Sequence, residues 1–321
     1  MRPPIVAFVL AVASIAACDR EPPPLPPVSV AAHADSIEAW HAFRKNAIYG
    51  PTGWRTLLGL WWLSPGETTI GSDSASTIIL PRDRSPRQLG TLHVGNDSTW
   101  FVAARGVTFT VDTSKVPVTS ARMNHDLAPG ATVVRYGSLM MHYIAREDRG
   151  EIKHAVRIRD TLNPVRANPE PIRYFPTDIA LRTQARFTPV SAPDSFNIVG
   201  VLGFDTKMAH LGDLTFSLKG SEYTLAVIRE PEDHGKNLFL MFTDSTNRKE
   251  TYPATRYVWV LPPDSLGRTI VDFNKAFNPP CAFTKFSTCP FPPKGNHLPL
   301  RVEGGEWNPS YVEATAVKPE R

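Results

Sequence analysis

Gly90-Thr91-Leu92-His93-Val94, a break at Gly95-Asn96-Asp97-Ser98, then Thr99-Trp100-Phe101-Val102-Ala103: the reading of this stretch decides the fold. Apolar and polar side chains alternate in each run, and a period of two marks a strand with one buried face. The residues between the runs are turn formers. Similar short runs recur at 68–71, 77–80, 107–111, 132–136, 139–146 and 155–160, separated by turn residues at fairly regular spacing. This pattern predicts a mainly β chain, an antiparallel β-sandwich or barrel. A second β-rich region follows over 197–306, with strand candidates at 216–218, 222–229, 237–243, 256–261 and 269–273. Before the strands, Ile37, Trp40 and Phe43 behind Asp35-Ser36 predict one short N-terminal helix over 35–45. The run Gly53-Trp54-Arg55-Thr56-Leu57-Leu58-Gly59-Leu60-Trp61-Trp62-Leu63 is too apolar for exposure and is expected to lie against the sheet.

The N-terminus reads as an export signal. Met1-Arg2 supplies positive charge, residues 5–17 form an apolar run too short to span a bilayer, and Ile15-Ala16-Ala17-Cys18 places a cysteine directly after small residues. This arrangement resembles a bacterial lipobox, which implies lipidation of Cys18 and anchoring by acyl chains at about 0.8 kcal/mol per buried CH₂. The alternative is an ordinary signal peptide with an incidental cysteine. Residues 18–34 contain Pro22-Pro23-Pro24-Leu25-Pro26-Pro27, a stiff extended tether. The expected location is the cell envelope, facing the periplasm. Asp19 behind the lipid site resembles an inner-membrane retention signal and tips the choice toward that membrane. The domain plan is therefore a signal peptide at 1–17, a tether at 18–34 and a helix with a first β region at 35–160. A connector at 161–196, the second β region at 197–306 and a polar tail at 307–321 complete it.

Deleting Arg2 with the signal lowers the net charge from +4 to +3, which favours no anionic partner. Arg82, Arg84 and Arg87 are interrupted by Asp83 and Pro86 and lack interleaved aromatics, so nucleic acid is not an expected partner. With Cys18 lipidated, Cys281 and Cys289 remain. Eight positions apart in an oxidising compartment, they point to a disulfide, with redox-active thiols or a metal site as alternatives. No His or Cys spacing of a metal site occurs, and no cofactor is expected.

The two cysteines lie in Asp272-Phe273-Asn274-Lys275-Ala276-Phe277-Asn278-Pro279-Pro280-Cys281-Ala282-Phe283-Thr284, continued by Ser287-Thr288-Cys289-Pro290-Phe291-Pro292-Pro293 and Asn296. This density of Pro and Asn requires a shaped loop. The block resembles a family of bacterial and archaeal proteins called domain of unknown function 1684. Matching stretches recur around Gly53-Trp54 to Gly66, Ala145-Arg146 with Val156-Arg157 and Asp160, Phe242 to Tyr257, and Gly305-Glu306, so that the resemblance spans about 36–306. Where the family carries a glycine-rich Tyr-Gly-x-Gly-Arg segment, this chain has Tyr252-Pro253-Ala254-Thr255-Arg256. The family name implies no activity. The first β region also resembles a forkhead-associated sandwich at Ile70-Gly71-Ser72-Asp73 and Thr77-Ile78-Ile79-Leu80. It lacks that fold's phosphate-binding Arg after Gly71, which removes the implication of phosphopeptide binding.

Arg256, Asp272, Asn274, Asn278, Asn296 and Glu306 are polar groups in apolar, rigid sequence, and they are the candidate ligand-binding set. The competing reading has them satisfying the loop's own backbone, as buried polar groups must. Arg146, Arg157 and Asp160 form a second candidate cluster, with a structural ion pair as its alternative. His125, His142, His154, His210 and His234 show no ligand spacing, and no Gly-x-Ser-x-Gly elbow occurs. Three functions follow. A lipid-anchored binding module for a small polar ligand or envelope component predicts a concave site near the cysteine loop. An envelope hydrolase predicts Asp272 or Glu306 in a cleft. A structural or assembly lipoprotein predicts an exposed apolar patch, around Trp61-Trp62.

Overall fold

The computed structural model describes residues 23–95, 98–229 and 237–309. The signal peptide, Cys18, Asp19, His234 and residues 310–321 of the tail lie outside them. The N-terminal half runs through β1 (Leu57–Trp62), β2 (Gly66–Gly71), β3 (Ile78–Ile79), β4 (Gly90–Val94), β5 (Thr99–Ala103), β6 (Thr110–Val111), β7 (Ser120–Met123), β8 (Val133–Tyr136), β9 (Leu139–Asp148) and β10 (Glu151–Asp160). These strands form two sheets, ordered β1-β10-β9-β8-β6 and β3-β2-β4-β5-β7. Their facing sides make a sandwich core from Val134, Met141, Tyr143, Val156 and Ile158 on the first and Ile70, Leu92, Phe101 and Met123 on the second. The β4–β5 hairpin pairs Leu92 with Phe101 and Val94 with Thr99, all four buried, whereas Trp100 and Val102 are exposed on the other face.

The apolar run at 53–63 does not pack against a sheet; it supplies one. It enters as β1 and pairs with β10 from Leu57 opposite Arg159 to Trp62 opposite Ala155. Trp61 turns onto the sandwich core, and Trp62 turns away to meet Phe204 edge-on at 4.8 Å. Every residue of β1 is apolar or glycine even though burial alternates over Leu57 to Leu60, which is why its period is illegible.

The C-terminal half comprises β11 (Arg182–Val199), β12 (Asp205–Leu218), β13 (Ser221–Ile228), β14 (Leu238–Asp244), β15 (Arg256–Val260), β16 (Arg268–Asp272) and β17 (His297–Leu298). Their order is β15-β14-β13-β12-β11-β16, with β17 parallel to β14, and the sheet curls into a half-barrel. Leu214, Phe216, Leu225, Leu240, Phe242, Val258 and Val271 fill its inner side. Met208, Ile228, Phe239, Met241 and Tyr257 cover its outer side. On β14, Leu238, Leu240 and Phe242 go inward while Phe239 and Met241 go outward, so the whole strand is apolar and buried.

The connector at 161–196 needs correction: β11 begins inside it, at Arg182. Most of β11 is exposed or half-buried, it contains Pro189, and its pairing with β12 slips between Pro189 and Asp194. A hairpin that extends past its sheet has no buried face to impose a period of two. The helix also differs from expectation. α1 (Val30–Tyr49) is 20 residues long, is capped by the Ser29 side chain, which accepts from Ala32 N–H at 3.1 Å, and ends where Gly50 N–H donates to Asn46 O. Its buried residues include His33, Ile37, Arg44 and Ile48, one face at helical spacing whose two polar members disguise it.

Candidate functional site

The six predicted ligand-binding residues do not meet on a cavity. All are buried, and apart from Arg256 Nε and Asn278 Oδ1 their polar groups are engaged with the protein itself. Arg256, fully enclosed, donates to Asp244 at 3.2 Å, to Val302 O at 2.8 Å and to Gly304 O. Burial pulls its pKa below the ordinary arginine value, and the Asp244 carboxylate opposes that shift. Asp272 accepts from Asn274 N–H and faces His33 Nε2 at 2.9 Å. Glu306 accepts from Arg44 Nε at 2.5 Å and from Asn278 N–H at 2.9 Å. Asp272 and Glu306 are therefore docking points for α1. Their partners lie 239 and 262 positions away in sequence, beyond any spacing rule.

The asparagines substitute for missing ladder bonds. Among the described residues β13 and β14 share one register pair, Ile228 with Phe239. Nearby, the Asn296 amide donates to Ala226 O and Met241 O and accepts from Ala226 N–H, so one side chain joins the two strands. Asn274 exchanges bonds with the backbone of Asp178 just before β11, and Asn278 donates to Trp307 O. Buried amides without a ladder partner need such substitutes.

The concave feature lies elsewhere, between the halves. A cleft of about 510 Å³ has the outer side of the half-barrel as its floor, with Ile198, Met208, Phe239, Tyr257 and Trp259. The outer side of the β1–β10 sheet faces it with Arg146 and Arg157, α1 adds Phe43, Arg44 and Ala47, and the β11–β12 turn adds Leu202 and Phe204. The remaining wall is Ser287 to Pro290 of the cysteine loop. The cleft adjoins the cysteine loop, and none of the six predicted ligand-binding residues lines it. Of the second predicted cluster, Arg146 and Arg157 line the cleft and Asp160 does not. Asp160 accepts from Arg84 Nε at 2.9 Å and from Leu162 N–H, away from the cleft. Arg146 is fixed by Asp126 at 2.7 Å and Thr288 Oγ1 at 2.9 Å. The Arg157 guanidinium lies over the Trp54 ring at 5.3 Å. The aromatic floor was missed because its residues come from strands that alternate faces only once the sheet is built.

Cys281 and Cys289 form a disulfide with Cα atoms 6.1 Å apart. It holds the loop whose Cys289 O accepts from Val201 N–H, whose Phe291 N–H donates to Val199 O, and whose Pro290 O accepts from the Tyr257 hydroxyl. The staple thus fixes a wall of the cleft to the β11–β12 turn and to the floor. Reduction, or the Cys281→Ser/Cys289→Ser variant, is expected to lower stability by about 2–3 kcal/mol. Urea midpoints with and without reductant check this; identical midpoints for oxidised protein and variant would count against it. Among the described residues no group of three or more His, Cys, Asp or Glu is placed to hold a metal ion.

His142 sits opposite Arg157 in the β9–β10 ladder. Burial, joined by the charges of Arg159, Arg157 and Arg135, pushes its pKa down to about 3. Its folded pKa is below the unfolded value, so the unfolded chain takes the proton first. Stability is then lost as pH falls from about 6.5 toward 3, by about 2 kcal/mol at pH 5. His41 and His154, also lowered by burial, act in the same direction. His142→Leu is expected to shrink the difference in Tm between pH 7.5 and pH 5; an unchanged difference would contradict this account.

A mainly β chain with one N-terminal helix, a sandwich and a half-barrel is the class the fold defines. The family described as Protein of unknown function (DUF1684) matches residues 169–307, the half-barrel with its cysteine loop. The chain belongs to this family. The stretches before residue 169 that resemble it lie outside the matched range. The solution NMR structure of the uncharacterized protein from gene locus rrnAC0354 of Haloarcula marismortui is 32% identical. That match covers 44% of this chain and 78% of that one, with a TM-score of 0.37. The crystal structure of the FhaA FHA domain complexed with the intracellular domain of Rv3910 matches at 16% identity over 30% of this chain and 97% of that one, with a TM-score of 0.21. No curated protein matches the chain.

Proposed function

We propose that this protein is a lipid-anchored binding module of the cell envelope, and that the cleft between sandwich and half-barrel is its ligand site. The observation that carries this is the cleft itself, about 510 Å³, walled by both β regions, α1 and the disulfide loop. Small-molecule sites are concave, mostly apolar and roughly 300–1,000 Å³ in volume. The lining favours a ligand with an apolar body over the small polar ligand expected from sequence. Asp272 and Glu306, the carboxylates of the hydrolase alternative, face α1 and are engaged there. Of the patch expected of an assembly protein, Trp61 packs on the sandwich core, and Trp62 stays 40% exposed beside its edge-on contact with Phe204. Anchoring rests on the Ala17-Cys18 junction and the proline tether. No helix among the described residues is long and apolar enough to cross a membrane.

Two measurements test this. The neutral fluorophore N-phenyl-1-naphthylamine is expected to bind the chain, and Trp259→Ala to weaken it at least about tenfold by removing the floor. Arg84→Ala, away from the cleft, is expected to leave binding unchanged. Absence of binding to the parent protein would sink the site assignment. For the anchor, the parent is expected in the membrane fraction and Cys18→Ser in the soluble fraction; equal partitioning would remove the lipid from the account.

A further inference from the structure

The chemistry of the cleft's walls carries the argument to a ligand class. The floor offers Phe239, Tyr257, Trp259 and Met208, with Leu202 and Phe204 at the turn. The opposite wall offers two guanidinium groups, Arg146 and Arg157, and Lys207 and the Glu306-paired Arg44 complete the cations of the lining, against the single acidic residue Glu147. The hydroxyls along the cleft are already engaged. Thr206 donates to Glu147 O at 2.9 Å, Thr288 accepts from Arg146, and Ser287 donates to Thr284 O at 3.3 Å. A sugar or other polyhydroxyl ligand would find few partners of its own here. What remains is an apolar trough with the fixed guanidiniums of Arg146 and Arg157 facing its floor.

We propose that the cleft takes an anionic single-chain amphiphile, its carboxylate or phosphate toward Arg146 and Arg157 and its alkyl chain over the Phe239–Trp259 floor. This rests on the reading of the cleft as a ligand site. Both guanidiniums are held before any ligand arrives, Arg146 by Asp126 and Thr288 and Arg157 against Trp54. A planar fork fixed in place suits an oxyanion, because less side-chain freedom is lost per hydrogen bond. The chain supplies the affinity through burial, and the head supplies orientation.

The test is displacement of N-phenyl-1-naphthylamine from the full chain carrying Cys18→Ser, so that no acyl chain of its own competes. Hexadecanoate and hexadecyl phosphate are each expected to displace the probe at concentrations at least about tenfold lower than hexadecanol, since a charge-assisted bond is made only by the anions. Octanoate is expected to be far weaker than hexadecanoate, with each methylene adding up to about fourfold. Which of the two anions is tighter identifies the headgroup. Arg157→Met is expected to abolish the preference for anion over alcohol while leaving hexadecanol displacement in place. If that variant does not fold, loss of the same preference in the parent between 50 and 500 mM NaCl serves instead. Equal displacement by hexadecanoate and hexadecanol would overturn the anionic class and leave the site standing. Failure of the probe to bind at all would overturn both.

Discussion

Asp244→Ala is expected to cost about 3–5 kcal/mol, because it strands the charge of Arg256 in the core. Arg256 and Asp244 side chains are both fully enclosed and meet at 3.2 Å. Asp244 also accepts from Val302 N–H at 2.6 Å and from the Thr246 hydroxyl at 2.6 Å, so its loss leaves several buried donors unmet. Arg256 would keep only uncharged hydrogen-bond partners, Val302 O, Gly304 O and Thr246 Oγ1, which cannot neutralise it. A fall in Tm on the order of 10 °C is the expected readout. Arg256→Met should cost less than Asp244→Ala, because the remaining carboxylate keeps its backbone and hydroxyl donors. Equilibrium urea unfolding at constant m-value measures both, and a loss below about 1 kcal/mol for Asp244→Ala would show the pair to be dispensable.

Arg44→Met is expected to act on stability and binding together. Arg44 reaches from α1 to Glu306 at 2.5 Å and to Asn278 O at 3.3 Å, and its guanidinium lies over Phe277 at 4.4 Å. Without it Glu306 is left enclosed, holding only the Asn278 N–H. The expected cost is again about 3–5 kcal/mol. Because α1 lines the cleft, loosening its dock should also weaken N-phenyl-1-naphthylamine binding. Glu306→Gln is the companion: it keeps an acceptor for Asn278 N–H and leaves Arg44, which lines the cleft, its bond to Asn278 O. Its stability loss should therefore be smaller than that of Arg44→Met. The reverse order would mean that the carboxylate and not the helix is the sensitive member.

How much was legible depended on whether an element's environment was local. β4 and β5 could be read to the residue because each has one wet and one dry face, which writes its period into the sequence. β14 was readable as a dense apolar run bounded by breaks, although nothing in it tells which residues face the cleft. β11 was not readable at all. Arg182 to Arg186 pair with β16, β12 joins only from Ala185 onward, and most of the remainder is exposed or half-buried, so no alternation forms. The N-terminal third of α1 was hidden because its anchor there, His33, is polar and finds Asp272 across the fold.

The candidate site shows the same division. The Pro-, Asn- and Cys-rich block was identified from sequence as a rigid loop, since proline and asparagine constrain the backbone locally and two cysteines close a short ring. Its polar residues looked like a ligand set because sequence shows residue type without showing partners. The sequence by itself determined the β class, the paired cysteines, the loop and the family. The tertiary structure alone decided that Asp272 and Glu306 receive a helix, that Asn296 joins two strands, and that Arg146 and Arg157 face an aromatic floor. Periodicity and turn chemistry are properties of a few neighbouring residues, whereas a partner hundreds of positions away is chosen only when the sheets curl and the halves close on one another.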